Sequence, residues 1–216
     1  MVAETTGHIV ILNGVQRAGK TSIARVIQAT FPGVWMNLGV DAHIQCTPPT
    51  YYPGVGLRAQ EPEYAADVPG RVPLAVLEKQ VPILYAALYE SVAAHARLGL
   101  NVVMDVGHHD AYSSPLHILP DCARRLADVP VLFVGVRCPE EVLWERRQAT
   151  WGQVRGEVHA GIAHSVRLGV EAVHAHGGYD LEVDTSVLSP EQCAELIRRR
   201  LSDGPPGCRF GELARA

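Results

Sequence analysis

The octet at residues 14–21 constrains this chain more than any other stretch, because it fits the phosphate-binding pattern G-x-x-x-x-G-K-[ST]. Its members are Gly14, Val15, Gln16, Arg17, Ala18, Gly19, Lys20 and Thr21. The two glycines allow the backbone to curl so that successive N–H groups point at phosphate oxygens. Lys20 supplies a charge for the β- and γ-phosphates, and the Thr21 hydroxyl can coordinate Mg²⁺. We therefore predict that residues 14–21, with the adjoining Ser22, bind ATP.

The residues on either side of the octet match the structural context that such a loop requires. The continuous apolar run at residues 9–12 is typical of a buried parallel strand. After the loop, Ile23, Val26 and Ile27 recur at helical spacing until Pro32 ends the pattern. The sequence therefore predicts a strand, a phosphate loop and a helix in succession.

Strand and helix patterns alternate along the rest of the chain. Strands are predicted at residues 34–40, 101–105, 131–136 and 181–185, and helices at 72–98 and 116–127, after Pro139 and after the N-cap residue Ser189. This alternation predicts a parallel sheet with helices on both faces, whose ligands bind beyond the carboxyl ends of the strands. We expect one domain over residues 1–203, with an insertion at about 45–71, and a loose tail over 204–216.

Charge and cysteine content narrow the partners and the compartment. The net charge of −4 argues against nucleic acid as the main partner. The five cysteines form no C-x-x-C pair, which favours a reduced, cytoplasmic protein. The sequence has no signal-peptide pattern and no apolar run of membrane-spanning length, so we expect neither export nor membrane association. A homo-oligomer is left open.

Two acidic residues follow predicted strands and so should converge on the phosphate loop. Asp105 is placed as the acid of a Walker-B strand, which holds Mg²⁺ directly or through water; the alternative is a carboxylate that caps a nearby loop. Asp41 ends the neighbouring strand, where it can orient an acceptor hydroxyl and take its proton. Arg137 reaches the same edge from the fourth strand.

The insertion at residues 45–71 is the candidate acceptor site, although an ordinary surface loop explains its composition equally well. Its candidate contacts are Tyr51, Tyr52, Arg58 and Arg71. Aromatic rings with few cations suit an uncharged or weakly charged, ring-bearing alcohol better than a nucleoside monophosphate, which would need several arginines.

Several segments together resemble the chloramphenicol phosphotransferase-like family of P-loop small-molecule kinases, which has more distant kinship to zeta-toxin kinases. They are Ile11–Gly14, Ala18–Lys20, Leu38–Asp41, Val134–Cys138 and Tyr179–Thr185, and the resemblance extends over about residues 8–201. It implies a three-layer α/β sandwich with a five-stranded parallel sheet in the order 2-3-1-4-5. It also implies ATP-dependent phosphorylation of a hydroxyl on a small natural product or antibiotic, in self-resistance or biosynthesis.

The resemblance implies residue roles as well. Asp41 would be the general base, Lys20 and Thr21 would serve ATP and Mg²⁺, and a lid at about residues 145–160 would bring arginines to the phosphates. Arg147 keeps its place in the lid pattern, and Arg155 matches with a shift of one residue.

The sequence departs from the family in the lid and after the third strand. Trp151 stands where the family commonly has an arginine. Asp105 is followed by Val106 rather than by a second Asp, and then by His108 and His109, which we expect either to contact the acceptor or to belong to a plain loop.

The positions of the arginines along the chain also predict where each lies relative to ATP. We expect Arg137 on the adenine side, and we expect Arg146 and Arg147, as neighbours on a helix, not to face the site together.

Two other functions remain open from the sequence. One is a nucleotide or nucleotide-sugar kinase, and the other is an ATPase or nucleotide-binding switch without an acceptor. The guanine-reading pattern N-K-x-D is absent from the sequence, which argues against the switch.

The Lys20→Ala substitution should remove almost all phosphoryl transfer while leaving the fold intact, because Lys20 is a charge at the phosphates and not a core residue. Loss of one such electrostatic contact costs roughly 10²-fold or more in rate. Steady-state kinetics and circular dichroism test this prediction. Near-normal turnover by a folded variant would contradict the assignment of the loop.

Overall fold

A single parallel sheet forms the centre of the protein, whose computed structural model describes residues 6–56, 70–112, 114–158 and 160–215. Its strands are β1 (Ile9–Asn13), β2 (Trp35–Asn37), β3 (Asn101–Val106), β4 (Val131–Arg137) and β5 (Leu181–Asp184). They lie in the order β2-β3-β1-β4-β5, and all four pairs are parallel. This confirms the predicted α/β class and the strand order that the resemblance implied.

The described residues also form a set of helices that connect and cover the strands. These are α1 (Lys20–Thr30), α2 (Val40–Gln45), α3 (Leu74–Arg97), α4 (Ile118–Arg125), α5 (Glu140–Trp151), α6 (Ala160–Ala172), α7 (Pro190–Asp203) and α8 (Arg209–Leu213). The expected N-cap of α7 is a capping box in which Ser189 and Gln192 each accept from the other's backbone N–H. Within the described ranges, no helix has the length and apolarity needed to cross a bilayer.

The apolar core has two halves, one on each face of the sheet. Successive side chains of a strand point to opposite faces, so Ile9 and Ile11 pack with α3, α4 and α8. Val10 and Leu12 pack with α1 and α7 on the other face. Strand β1 is therefore buried along its whole length, and the loop that follows it starts from a rigid base.

Helix α2 begins where a strand was predicted to continue. Residues 34–40 were expected to be one strand ending at Asp41, but β2 ends at Asn37 and Asp41 lies in the first turn of α2. Leu38 N–H still donates to Val103 O at 3.1 Å, and the Asn37 side chain then accepts from Gly39 N–H at 3.4 Å as the chain turns. The prediction of one long strand was wrong because the apolar run at residues 34–40 continues across this turn.

The C-terminal segment is docked, so the prediction of a loose tail after Gly204 is wrong for the residues described there. Phe210 in α8 is only 2% exposed. Its ring stacks on Tyr89 at 6.0 Å and meets Phe133 edge-on at 5.2 Å. The Asp180 carboxylate also accepts hydrogen bonds from the backbone N–H groups of Cys208 and Arg209.

The Phe210→Ala substitution should lower the free energy of unfolding by about 3–5 kcal/mol, the usual cost of emptying a buried aromatic site. Urea unfolding followed by circular dichroism measures the change. Val187→Ala is the matched control, since Val187 is 76% exposed. A loss no larger than that of the control would show that the tail is not part of the core.

Candidate active site

A cavity of about 970 Å³ lies at the carboxyl edge of the sheet. Its wall brings the predicted phosphate loop together with Asp41 and Asp105. The loop residues that line it are Gly14, Val15, Gln16, Arg17, Gly19, Lys20, Thr21 and Ser22, whereas Ala18 is fully buried behind the loop. Segments that are distant in sequence therefore share one site, whose volume lies at the upper end of the range for small-molecule pockets.

The phosphate loop has the backbone geometry that its glycines predicted. Gly19 has φ +93°, a conformation that side chains strongly disfavour. At Gly14 a Cβ atom would lie 2.5 Å from the Val136 carbonyl oxygen, so only glycine lets the loop pass so close to β4. The Lys20 amine donates to the carbonyls of Gly14 and Val15 at 2.7 and 2.9 Å, which holds it at the loop. The cradle and its lysine thus fit a polyphosphate.

Burial makes the charge of this lysine costly. It lowers the pKa of Lys20 below its ordinary value, and the carboxylates of Asp105 and Asp41 raise the pKa part of the way back. A bound anion would add a further favourable partner for the ammonium group.

Asp105 is held between a hydroxyl and a glycine. The Thr21 hydroxyl donates to Asp105 Oδ2 at 2.7 Å. On the other side, a Cβ atom at Gly39 would lie only 1.7 Å from Asp105 Oδ1. Gly39 is therefore a site residue that the sequence analysis did not single out, because its role depends on a contact with a strand far along the chain.

The pair formed by Thr21 and Asp105 fits Mg²⁺ that also takes ligands from phosphate and water. A hydroxyl and a carboxylate are the hard oxygen donors that Mg²⁺ prefers, and Mg²⁺ is commonly held by few protein ligands. In the described parts of the chain, no group of three or more His, Cys, Asp or Glu side chains could hold a metal ion by itself.

Asp41 faces this cavity from the first turn of α2, where its carboxylate is accessible. Partial burial raises the pKa of Asp41, the neighbouring Asp105 charge raises it further, and Lys20 acts in the opposite direction. A raised pKa makes this carboxylate a stronger base than an ordinary aspartate.

Beyond Asp41 the cavity wall is mainly apolar. It is formed by Val40, Ile44, Pro53, Val55, Ile162 and Val166. Of the predicted acceptor contacts, Tyr52 and Arg71 line the cavity, and the Arg71 guanidinium lies 5.8 Å from the centre of the Tyr52 ring. Tyr51 instead packs against the apolar core, and Arg58 lies outside the described residues.

Arg146 and Arg147 both line the cavity, so the expectation that only one of them could face it is wrong. Their long side chains leave adjacent positions of α5 and reach different parts of the phosphate loop. Arg146 donates to the carbonyls of Arg17 and Thr185 at 3.2 and 2.6 Å. Arg147 donates to the Gln16 side chain at 3.1 Å.

Arg137 and Arg155 lie elsewhere, contrary to the places expected for them on the adenine side and over the phosphates, respectively. Arg137 pairs with Glu182 at 2.7 Å, and Arg155 pairs with Glu140 at 3.0 Å. Neither lines the cavity. Each is drawn to a nearby carboxylate that the linear sequence pattern does not reveal.

The two histidines after β3 lie inside the protein rather than in the cavity wall. His108 is 1% exposed, and its Nε2 lies 2.6 Å from the Tyr89 hydroxyl. Burial lowers the pKa of His108 to about 3, so the ring is neutral near pH 7. His109 stacks on Tyr112 at 4.6 Å. Neither histidine lines the cavity, so the pair does not face the space in which an acceptor would bind.

Comparison with known proteins places this site in a family context. The family model described as "Chloramphenicol phosphotransferase-like protein" matches residues 7–202. The chain belongs to this family. A Mycobacterium tuberculosis protein named "Putative O-phosphotransferase" is 27% identical over 223 residues, which cover 99% of this chain and 90% of that protein.

Solved structures with the same architecture include kinases of several kinds. The Deinococcus radiodurans tunicamycin resistance protein matches with a TM-score of 0.58 at 18% identity, covering 91% of this chain and 96% of that one. The Mycobacterium tuberculosis APS kinase, solved with AMPPNP and APS, matches with a TM-score of 0.54 at 15% identity, covering 92% and 99%. At these identities the likeness is one of fold. With the family assignment, it supports a phosphotransferase.

In this family member, Gly39→Ala should weaken Mg²⁺-dependent ATP binding, because the added methyl group would displace the Asp105 carboxylate. Changes to groups that orient a metal ligand typically cost about 10–100-fold in metal affinity. Calorimetric titration of ATP at several Mg²⁺ concentrations measures the change. Gly211→Ala is the matched control, since a Cβ there meets nothing within 4 Å. Equal Mg²⁺ dependence in both variants would show that Gly39 does not position Asp105.

Proposed function

We propose that the protein transfers the γ-phosphoryl group of ATP to a hydroxyl of a small natural product or antibiotic, in self-resistance or biosynthesis. One observation carries the proposal: the Asp41 carboxylate shares a cavity with Lys20, Thr21 and Asp105, and an apolar wall extends beyond it. A phosphate cradle and a candidate base therefore stand on two sides of one space.

The phosphate side is formed by residues whose contacts suit their roles. The loop N–H groups and Lys20 would bind the phosphates, while Thr21 and Asp105 would hold Mg²⁺. When bound, Mg²⁺ neutralises charge on the phosphates and stabilises the transfer. Leu188 and Pro190 also line the cavity, shortly after Thr185, which Arg146 contacts. This stretch, rather than Arg137, is our candidate for binding the adenine ring of ATP.

Asp41 would act on the acceptor. Its carboxylate accepts a hydrogen bond from the acceptor hydroxyl and takes the proton as the oxygen bonds to the γ-phosphorus. The bond from that phosphorus to the bridging oxygen breaks, and ADP leaves with the electron pair. Lys20 and the cavity arginines offset the charge that develops during the transfer.

The acceptor wall favours an apolar, weakly charged molecule over a nucleotide. Arg71 is the only cation among the described residues of the insertion, and the sequence adds only Arg58 there. A nucleoside monophosphate would need more donors for its own phosphate. The names of the Mycobacterium relative and of the Deinococcus resistance protein agree with transfer to oxygen and with an antibiotic acceptor, respectively.

We expect ADP release to depend on an added alcohol. The purified protein is incubated with ATP, Mg²⁺ and one acceptor at a time, drawn from hydroxylated antibiotics and metabolites, chloramphenicol and nucleoside monophosphates. Mass spectrometry should show a gain of one phosphoryl group on a non-nucleotide alcohol. ADP release without any acceptor would indicate an ATPase or switch, and labelling of a nucleotide would indicate a nucleotide kinase.

The Asp41→Asn substitution should lower kcat by about 10²–10⁴-fold, the usual effect of losing a general base. The amide can still bind the acceptor hydroxyl but cannot take its proton. The affinity for ATP should change little, because Asp41 acts on the acceptor. Loss of ATP binding with normal turnover at saturating ATP would place Asp41 in the nucleotide site instead.

The same variant should be slightly more stable than the wild type near pH 7. A carboxyl group whose pKa is raised on folding reduces stability as pH rises from its unfolded value of 3.8 through its folded value, and the penalty is complete above both. Asparagine removes that penalty. The thermal midpoints of the two proteins should converge only well below pH 3.8, where Asp41 is protonated in both the folded and the unfolded state. A lower midpoint for Asp41→Asn at pH 7 would contradict this account.

A further inference from the structure

Trp151, at the end of α5, contacts two guanidinium groups. The guanidinium carbon of Arg17 lies 4.6 Å from the centre of its ring, and that of Arg147 lies 5.0 Å from it. All three residues line the cavity, and Trp151 itself is 45% exposed. This large, partly exposed ring therefore packs against two cations at the surface.

The two cations form an uncompensated charge pair. Neither Arg17 nor Arg147 makes an ion pair with a carboxylate of the described residues. Their hydrogen bonds go to neutral groups: Arg17 donates to the Thr150 hydroxyl, and Arg147 donates to the side chains of Gln16 and Gln153.

Electrostatics make the position of these cations unfavourable unless an anion joins them. Burial lowers the pKa of Arg147, and the neighbouring charge of Arg17 lowers it further. Two guanidinium groups at the mouth of a phosphate cradle, with no carboxylate partner, are arranged for an anion. The face of the aromatic ring attracts each cation, which opposes their mutual repulsion.

The backbone of Arg17 also adopts a rare conformation. Its φ of 72° lies in the left-handed region, which is strained for a residue other than glycine. Arg146 donates to the Arg17 carbonyl at 3.2 Å, and the Arg17 side chain reaches α5 at Thr150 and Trp151. The strained residue is thus held by the helix at both its backbone and its side chain.

We propose that Trp151 is a positioning residue, which presents Arg17 and Arg147 as a pair to the phosphoryl group that is transferred. Through this stack, the end of α5 and the phosphate loop act as one unit around the γ-phosphate. The inference rests on the proposed function, and it assigns Arg17 a direct role with the transferred group that its place in the loop pattern does not specify.

Kinetics of single and double variants test the proposal. Trp151→Ala should lower kcat by about tenfold, from the loss of stacking, while the KM for the acceptor stays within about twofold. Trp151→Phe retains an aromatic face and should recover most of the rate. Arg17→Ala should lose about 10²-fold, as for other preorganised donors. The Arg17→Ala/Trp151→Ala double variant should lose less than the product of the two single losses, because part of the effect of Trp151 is exerted through Arg17 and coupled residues are not additive.

Binding supplies a second measurement that does not depend on turnover. If the pair serves the γ-phosphate, Trp151→Ala should weaken ATP about tenfold in calorimetric titration and leave ADP within about twofold. Equal weakening of ATP and ADP, with a lowered thermal midpoint, would show a structural role and overturn the proposal. Wild-type kcat in Trp151→Ala would also overturn it.

The failure of this inference can be told apart from failure of the proposed function. If the wild-type protein phosphorylates no alcohol, the proposed function fails, yet the ATP and ADP titrations still show whether Trp151 and Arg17 serve a γ-phosphate. If the wild type phosphorylates an alcohol and Trp151→Ala does so equally well, only the inference fails.

Discussion

The parallel pairing of β1 with β3 is the constraint on which the site depends. Its register sets Leu12 opposite Asp105, and the pairing with β4 sets Leu12 opposite Val134. Since successive side chains alternate between faces, a slip of one residue would exchange the side chains that β1 presents to the two halves of the core. The two halves of the core therefore enforce the register. The contact between Thr21 and Asp105 follows from it, because the loop leaves β1 beside the strand that carries the acid.

Some residues that do not themselves contact a substrate hold the site residues in place. Gly39 lets the chain before α2 press against Asp105. The buried Asn13 side chain accepts from His108 N–H at 2.8 Å, and its amide donates to the Val173 carbonyl and the Tyr179 hydroxyl at 3.0 and 2.9 Å. It thereby ties the end of β1 to the segment after β3 and to the segment that follows α6. A buried polar network of this kind is favourable only when its members are satisfied together, so it selects one arrangement of these segments.

The features that depend on local sequence patterns could be predicted. The features that depend on contacts between distant parts of the chain could not. The phosphate loop, the sheet class and the capping box at Ser189 each depend on neighbours within a few residues, and each could be inferred. The placement of Asp41 on a helix depends on where β2 stops pairing, and that is decided by β3. Arg137 and Arg155 were assigned by order along the chain, whereas the carboxylates of Glu182 and Glu140 determine where they lie. The helix α6, whose residues line the cavity, was not predicted.

Charged side chains are arranged differently around the cavity and on the outer surface. On the outside, arginines such as Arg97 and Arg125 pair with carboxylates, and such exposed pairs contribute little to stability. Around the cavity, burial shifts the pKa values of Lys20 and Asp41 toward their neutral forms, so each charge there is held against its own preference. A site of this kind is less stable alone than with a charged ligand, and the buried β1 with a core on each face supplies the stability that it lacks. Binding energy is then available where charge changes during the reaction, because the groups are already oriented and need not reorganise.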